Sequence, residues 1–374
     1  MIRPELRQMK KGKVLIVDDH KHVLNALRHL LIGEFETVKT LSNPNRILNE
    51  LESLEYNIVL LDMNFSAGIN TGNEGFYWLE QIKKFDSDII VILITAFGDV
   101  DLAIKAVKAG ATDFVLKPWN NDKLVFTLKS ALELSESKKE LKSIKTKQSH
   151  VNRALNQSRS DILGNSDAIK QVIHAIDKVA KTDASVLITG ENGTGKELVA
   201  REIHNKSERA DQVFMDIDLT TINESLFESE LFGHKGGSFT DAKVDRTGKF
   251  QLSSGGTLFL DEIGNLPYLL QAKILNALER REITPIGTSE KIAFDSRLIS
   301  ATNKNMKKLV DEHLFREDLL FRINTIVIHV PPLRERGNDI VLLAEHFLKL
   351  YADKYNKYPL KINNAALDNM MNYH

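Results

Sequence analysis

GENGTGKE (190–197) is the stretch on which the fold turns. It follows the apolar run Val186, Leu187, Ile188 and precedes a helical pattern over 198–203. A strand, a glycine-rich loop and a helix, in that order, form a phosphate-binding loop. Glycines let backbone N–H groups crowd around phosphate oxygens at a helix N-terminus, and Lys196 can reach the β and γ phosphates. Gly190, Glu191, Asn192, Gly193, Thr194, Gly195, Lys196 and Glu197 are therefore candidate ATP-binding residues. Ser or Thr usually follows the lysine and holds Mg2+, whereas here Glu197 does. An ordinary glycine-rich turn is the bland alternative, and a second nucleotide motif downstream counts against it.

That second motif is GGTLFLDEIG (255–264), an apolar strand ending in Asp261 and Glu262. Asp261 can hold Mg2+ near the phosphates, and Glu262 can polarise the attacking water. Such a pair is common by chance, but it gains weight about seventy residues after a phosphate-binding loop. Asn303 ends the strand pattern 297–303, where a polar side chain can sense the γ-phosphate. FREDLLFRIN (315–324) sets Arg316 and Arg322 six apart. They read either as surface partners of Glu317 and Asp318 or as arginine fingers offered to a neighbouring subunit.

The chain has 374 residues, enough for two or more domains, and a net charge of −1. Near-neutrality gives no reason to expect non-specific nucleic-acid binding. The absence of cysteine excludes disulfides, thiolate zinc sites and thiol catalysis. No stretch is apolar enough to span a bilayer and no signal core precedes the first strand, so a cytoplasmic location without membrane partners is expected.

From Lys13 to about Leu134, the short Val/Ile/Leu runs 14–19, 58–63, 89–96 and 113–118 alternate with helical patterns, and 36–42 fits a further strand. Continuous apolar strands between helices mean a parallel sheet covered on both faces. Five such units predict a doubly wound α/β fold of flavodoxin-like order. Sites in open α/β sheets form at the carboxyl ends of strands. Asp18 and Asp19 end the first strand, Asp62 the third, Thr95 the fourth and Lys117 the fifth. Three converging carboxylates repel unless a divalent cation joins them. A hydroxyl and an ammonium beside them suit an incoming phosphoryl group.

The segment 134–160 is lysine-rich and lacks Pro and Gly. Leu134, Leu141, Gln148 and Leu155 lie seven apart, with Ile144 and Val151 at intervening positions. Both a short coiled coil and a solvated linker helix fit that pattern. A second α/β unit begins at residue 161, with Ile162 and Gly164 before a helix. After Pro331 and Pro332 the pattern turns helical.

Residues 12–134 resemble a response-regulator receiver domain. The resemblance implies that Asp62 is the phosphoacceptor, served by a sensor histidine kinase. It implies Mg2+ ligation by Asp18, Asp19, Asp62 and the Asn64 carbonyl, phosphoryl contacts from Thr95 and Lys117, and reorientation of Phe114 when Thr95 moves. The loop NFSAGINTGNEG (64–75) is longer than usual for that family. The order of phosphate loop, Asp-Glu pair, Asn303 and paired arginines resembles the AAA+ ATPases. ESELFGHKGGSFTDA (228–242), QAKILNALERRE (271–282) and VPPLRERGNDI (330–340) narrow the resemblance to the NtrC family of sigma-54 activators.

That resemblance implies domains at 1–134 (receiver), 135–160 (helical linker), 161–332 (AAA+ core) and 333–374 (incomplete lid). It adds Ile162 and Gly164 to the nucleotide site, and has Phe239 and Thr240 touch the sigma factor of sigma-54 RNA polymerase. A dimer that assembles into a hexameric or heptameric ring is implied as well. Two departures stand out: Asp241 replaces the usual Gly of the contact loop, and Asp218 stands where an Asn commonly restrains the catalytic Glu. The family's Trp-Pro-Gly-Asn segment and helix-turn-helix domain are not in this sequence, so DNA contact is expected only through a domain outside it. The expected function is a phosphorylation-controlled ATPase that activates transcription. A remodeller of another protein, or an ATP-binding scaffold without turnover, are the alternatives.

Overall fold

The computed structural model describes residues 11–65, 73–96, 105–157, 162–222, 226–239, 242–357 and 361–373. The chain divides into two compact units, Met1–Thr146 and Lys147–His374.

The first unit is built on five parallel strands: β1 (Lys13–Val17), β2 (Thr37–Leu41), β3 (Ile58–Asp62), β4 (Ile90–Ala96) and β5 (Asp113–Lys117). Their order is β2-β1-β3-β4-β5, the flavodoxin-like order expected. Alternate strand residues feed two separate cores, because successive side chains point to opposite faces. Leu15, Val17, Val59 and Leu61 pack with Ile47, Leu51, Leu79 and Ile82 on one face. Val14, Ile16, Ile58 and Leu60 pack with Leu24, Leu27, Leu124 and Leu128 on the other. Both faces are thereby closed to water, and only the strand ends are left open for polar chemistry.

The helix that follows β5 runs unbroken over Asn121–Gln157. Its apolar stripe is buried through Leu124, Leu128 and Ala131. Beyond that point Leu134, Leu141, Ile144 and Val151 are 41–60% exposed. The linker read at 135–160 is thus the continuation of a helix that starts fourteen residues earlier, since nothing between Asn121 and Gln157 breaks an α-helix.

The second unit carries a parallel sheet of order β14-β6-β13-β10-β7. The strands are β6 (Val186–Thr189), β7 (Phe214–Asp218), β10 (Thr257–Asp261), β13 (Arg297–Thr302) and β14 (Ile326–His329). Two small antiparallel pairs flank it, β8 (Gly233–His234) with β9 (Arg246–Thr247) and β11 (Glu282–Ile283) with β12 (Ile292–Ala293). Strand β14 opens with the apolar run Ile326, Val327 and Ile328, which the sequence reading passes over. It is an edge strand, with Ile328 buried and Val327 54% exposed.

Arg297, only 1% exposed, ties this sheet to a helix. Its Nη1 and Nη2 donate to the carbonyls of Ala180 and Val179 at 3.1 and 2.8 Å. These carbonyls end the helix Asp167–Val179, where a cation meets the negative end of the helix dipole. Among the described residues, no helix is long and apolar enough to cross a membrane.

Candidate phosphoryl-acceptor and nucleotide sites

The first site forms at the carboxyl ends of β1, β3 and β5, with β4 between the last two. Lys117 Nζ lies 2.8 Å from Asp18 Oδ2 and 3.0 Å from Asp62 Oδ1. Asp18 is fully buried, and Asp62 is 5% exposed. Burial pushes the Asp62 carboxyl up to about 6, and the Asp18 charge adds to this, while Lys117 pulls against it. Burial also works against the Lys117 ammonium, but the two carboxylates outweigh it and hold its pKa above the ordinary lysine value.

Thr95 is buried near the end of β4, and the neighbouring pair Ala96–Lys117 sets it beside β5. Phe114 on β5 is half-buried against the core of Leu15 and Val91. Asn64 lies two residues beyond the end of β3. Asp19 turns aside from Lys117: its Oδ1 is 2.7 Å from His20 Nδ1. His20 also donates its backbone N–H to Asp18 Oδ1 at 2.8 Å. His20 was not singled out in the sequence; its signal is its place directly after the Asp18-Asp19 pair. Asp18, Asp19 and His20 can present one ligand atom each within 4.8 Å of one another. In the long loop after β3, residues 66–72 lie outside the described residues.

The second site is assembled by the ends of β6, β10 and β13. The loop 190–195 leaves β6 and returns to the helix Lys196–Asn205 through Gly195, whose φ of +94° suits glycine. Gly190 donates its N–H to Thr302 O at 3.3 Å, stitching the loop to β13. Lys196 Nζ donates to the carbonyls of Gly190 and Glu191 at 3.3 and 3.4 Å. It also lies 3.2 Å from Glu262 Oε1. Glu262 has a left-handed backbone, φ +54°, rare outside glycine and characteristic of constrained functional positions. Its other oxygen is 3.4 Å from Asn303 N, and Asn303 Nδ2 donates to Asn192 Oδ1 at 2.7 Å. Lys196, Glu262, Asn303 and the phosphate loop are therefore one contact network.

Asp261 accepts the Glu262 N–H at 2.9 Å, and burial holds its pKa above the ordinary carboxylate value. Glu197 turns away from the loop: its Oε1 pairs with Arg201 Nε at 2.7 Å. Arg201 Nη2 reaches Asp216 Oδ2 at 2.9 Å, and its guanidinium lies over Phe214. Burial, then the Glu197 charge, push Asp216 up to about 6.

Asp218 is paired in register with Asp261 but does not restrain Glu262. Its Oδ1 accepts the N–H and hydroxyl of Thr220 at 2.8 and 2.6 Å. A carboxylate has no proton to donate to Glu262, so it closes a local turn instead.

Two arginines beyond β14 brace the loop from outside. Arg334 pairs with both carboxylate oxygens of Glu191, and Arg336 Nη2 donates to Thr194 O at 2.8 Å. Both stand in the PPLRERG segment (331–337), where the sequence shows two arginines two residues apart but not their target. Ile162 packs on the core below β6. Gly164 lies against Asp339, where an added Cβ would come within 2.6 Å of a carboxylate oxygen.

Arg316 and Arg322 do not join this network among the described contacts. Arg316 is held by Asp318 at 2.7 Å, and Arg322 Nη2 donates to Leu278 O at 3.0 Å. The Phe239 ring is half-buried, edge-on to His234 at 5.0 Å between centroids. Thr240 and Asp241 lie outside the described residues.

Residues 14–129 match the response regulator receiver domain, 162–329 the sigma-54 interaction domain and 334–374 the AAA+ ATPase lid domain. The chain is 39% identical to the regulatory protein AtoC of Escherichia coli over 95% of its own length and 75% of AtoC's. The chain belongs to the NtrC family of sigma-54-dependent response regulators. It is 38% identical to the DNA-binding transcriptional regulator NtrC of Salmonella typhimurium, over 92% of this chain and 70% of NtrC. NtrX from Brucella abortus, solved in complex with ADP, is 30% identical, with a TM-score of 0.53 over 97% of this chain and 78% of NtrX. Like its NtrC-family relatives, this response regulator carries a sigma-54 activation domain of the AAA+ class, a family in which that domain is an ATPase.

Proposed function

We propose that the chain is a phosphorylation-controlled ATPase that remodels sigma-54 RNA polymerase. The observation that carries this reading is the single network of Lys196, Glu262 and Asn303 in a chain that also holds the Asp18–Lys117–Asp62 cluster. In the receiver, a carboxylate oxygen of Asp62 attacks the phosphorus of a phosphohistidine on a sensor kinase. A P–O bond forms, the P–N bond breaks, and the imidazole regains a proton. Thr95 and Lys117 hold the transferred phosphoryl oxygens, and Phe114 follows Thr95.

The all-oxygen donor set of Asp18, Asp19, Asp62 and the Asn64 carbonyl fits a hard cation such as Mg2+. That Lys117 already serves two of these carboxylates is in keeping with a demand for positive charge there. Bound Mg2+ supplies charge neutralisation for the phosphoryl oxygens. Phosphorylation then adds roughly 1.5–2 negative charges at the sheet edge.

In the ATPase unit, backbone N–H groups of the loop and Lys196 bind the ATP phosphates. Glu262 polarises the attacking water, Asp261 is the residue suited to Mg2+, and Asn303 senses the γ-phosphate. Ile162 and Gly164 flank the nucleotide. Glu197 serves indirectly, through its pair with Arg201. Arg316 or Arg322 acts on the site of a neighbour, in a closed ring that is hexameric or heptameric in the family. Phe239 and Thr240 carry the contact with the sigma factor, and the Phe239 ring has to leave His234 for this.

The test is capture of sigma-54 by the chain with ADP and a γ-phosphate transition-state mimic, ring formation being followed by sedimentation. Capture that is lost in Phe239→Ala is the expected result. Rings that capture no sigma-54 would overturn the assigned target.

A further inference from the structure

Asn156, in the last turn of the helix Asn121–Gln157, is 6% exposed. Its Nδ2 lies 3.0 Å from His204 Nε2, 3.4 Å from Gln212 O and 3.5 Å from Ala210 O. Asn205 Nδ2 returns a bond to the Asn156 carbonyl at 3.5 Å, and Arg153 lies 3.7 Å from Asp211. His204 is fully buried near the end of the helix that begins at Lys196. Its Nδ1 is 2.8 Å from Thr257 Oγ1. Thr257 is also fully buried and opens β10, whose far end is Asp261.

The proton positions follow from the partners. Two backbone carbonyls can only accept, so the Asn156 atom facing them is the amide nitrogen. The same two carbonyls lie within hydrogen-bond reach of the His204 ring, so Nε2 can either donate to them or accept from the Asn156 amide nitrogen at 3.0 Å, and a donor already facing it favours the second. Burial pushes the His204 imidazole down to about 4, so the ring is neutral at pH 7 and has one donor nitrogen. That donor is Nδ1, and it points at Thr257 Oγ1.

We propose that Asn156 is a positioning residue: it fixes His204 as the Nδ1–H tautomer and thereby locks the last turn of the linker helix to the strand that carries Asp261 and Glu262. The role rests on the ATPase reading, because β10 matters to nucleotide only through those two carboxylates. A helix end held by polar bonds in a dry site cannot slip by a fraction of a turn without leaving Asn156 or His204 unpaired. Nucleotide at one end of β10 is therefore felt at the linker.

The test uses the full chain with ADP as probe. Nitrogen-15 histidine spectra of the wild type at pH 7 are expected to show His204 protonated at Nδ1 and bare at Nε2. In Asn156→Ala the proton is expected to move to Nε2, toward the carbonyls of Gln212 and Ala210. ADP is expected to slow amide exchange in residues 150–157 at least roughly threefold in the wild type. That response disappears in Asn156→Ala while ADP binding persists. A bare Nδ1 in the wild type, no ADP response there, or a response that survives the substitution would each overturn the lock. If Asn156→Ala does not fold, Thr257→Val removes the acceptor at the other end without changing shape and must abolish the same response. A wild-type chain that binds no ADP refutes the ATPase reading instead, and the tautomer then decides the lock by itself.

Discussion

Lys117 shares one ammonium between Asp18 and Asp62, so Asp62 lives in a buried site with half a counter-ion. Its folded pKa of about 6 lies above the ordinary aspartate value of 3.8. A raised carboxyl favours the folded state below the unfolded pKa, and that contribution is lost as pH rises through about 6. Asp62→Asn removes the titration and is expected to stabilise the receiver at pH 8 by up to about 3 kcal/mol in chelator, with little gain at pH 4. Both tryptophans, Trp78 and Trp119, lie in the receiver, so urea unfolding followed by their fluorescence reads that unit alone. An equal gain at both pH values would sink the assignment of the shift.

The Lys196–Glu262 contact yields a second expectation at this scale. Glu262→Gln should bind ATP within a few-fold of wild type, yet lose about 10²–10⁴ in turnover. Phosphate release checks it, and normal turnover would remove Glu262 as the base. Residues at strand ends, such as Asp62, Lys117, Asp261 and Asn303, could be found by their position after apolar runs. Arg334, Arg336 and the Glu197–Arg201–Asp216 chain could not, because their partners are chosen by how separate segments fold together.

At the scale of elements, the helix Asn121–Gln157 changes character along its length. Its first three turns bury Leu124, Leu128 and Ala131 in the receiver core. Leu134, Leu141, Ile144 and Val151 then line an exposed apolar stripe, too narrow for a core and the right width for another helix. Pairing of two such helices is expected to contribute to dimerisation. Ile144→Asp should weaken the dimer at least roughly tenfold, the cost of a charge in an apolar seam, as read by sedimentation equilibrium. An unchanged dimer constant would return the stripe to a solvated role. Heptad spacing in the sequence identified the stripe but not where the helix began, since Asn121 to Leu134 follows the receiver's own burial pattern. Strand β14 went unread although Ile326, Val327 and Ile328 form an apolar run; what the edge position alternates is their burial, not their residue type.

At the scale of the whole molecule, the proposed function has the nucleotide site of one chain completed by a neighbour. Lys196, Glu262 and Asn303 form one network, while Arg316 and Arg322 are held by Asp318 and the Leu278 carbonyl. On the proposed function the cation that meets the γ-phosphate comes from another subunit, through a head-to-tail contact that makes a ring where its rotation closes. Mixtures of two variants test the shared site quantitatively. Lys196→Ala lacks the phosphate-side lysine, and Arg322→Ala lacks the donated arginine, so each alone should be nearly inactive. Mixed in equal amounts, random rings join an intact Lys196 to an intact Arg322 at roughly one interface in four. Turnover should therefore rise from near zero towards roughly a quarter of the wild-type value, in proportion to the product of the two fractions. The same experiment with Arg316→Ala tells which arginine is donated, because only the donor complements Lys196→Ala. If neither mixture recovers turnover while sedimentation shows that mixed rings form, the catalytic arginine belongs to the same chain as Lys196. The pairing of Arg316 with Asp318 would then have to break within one subunit.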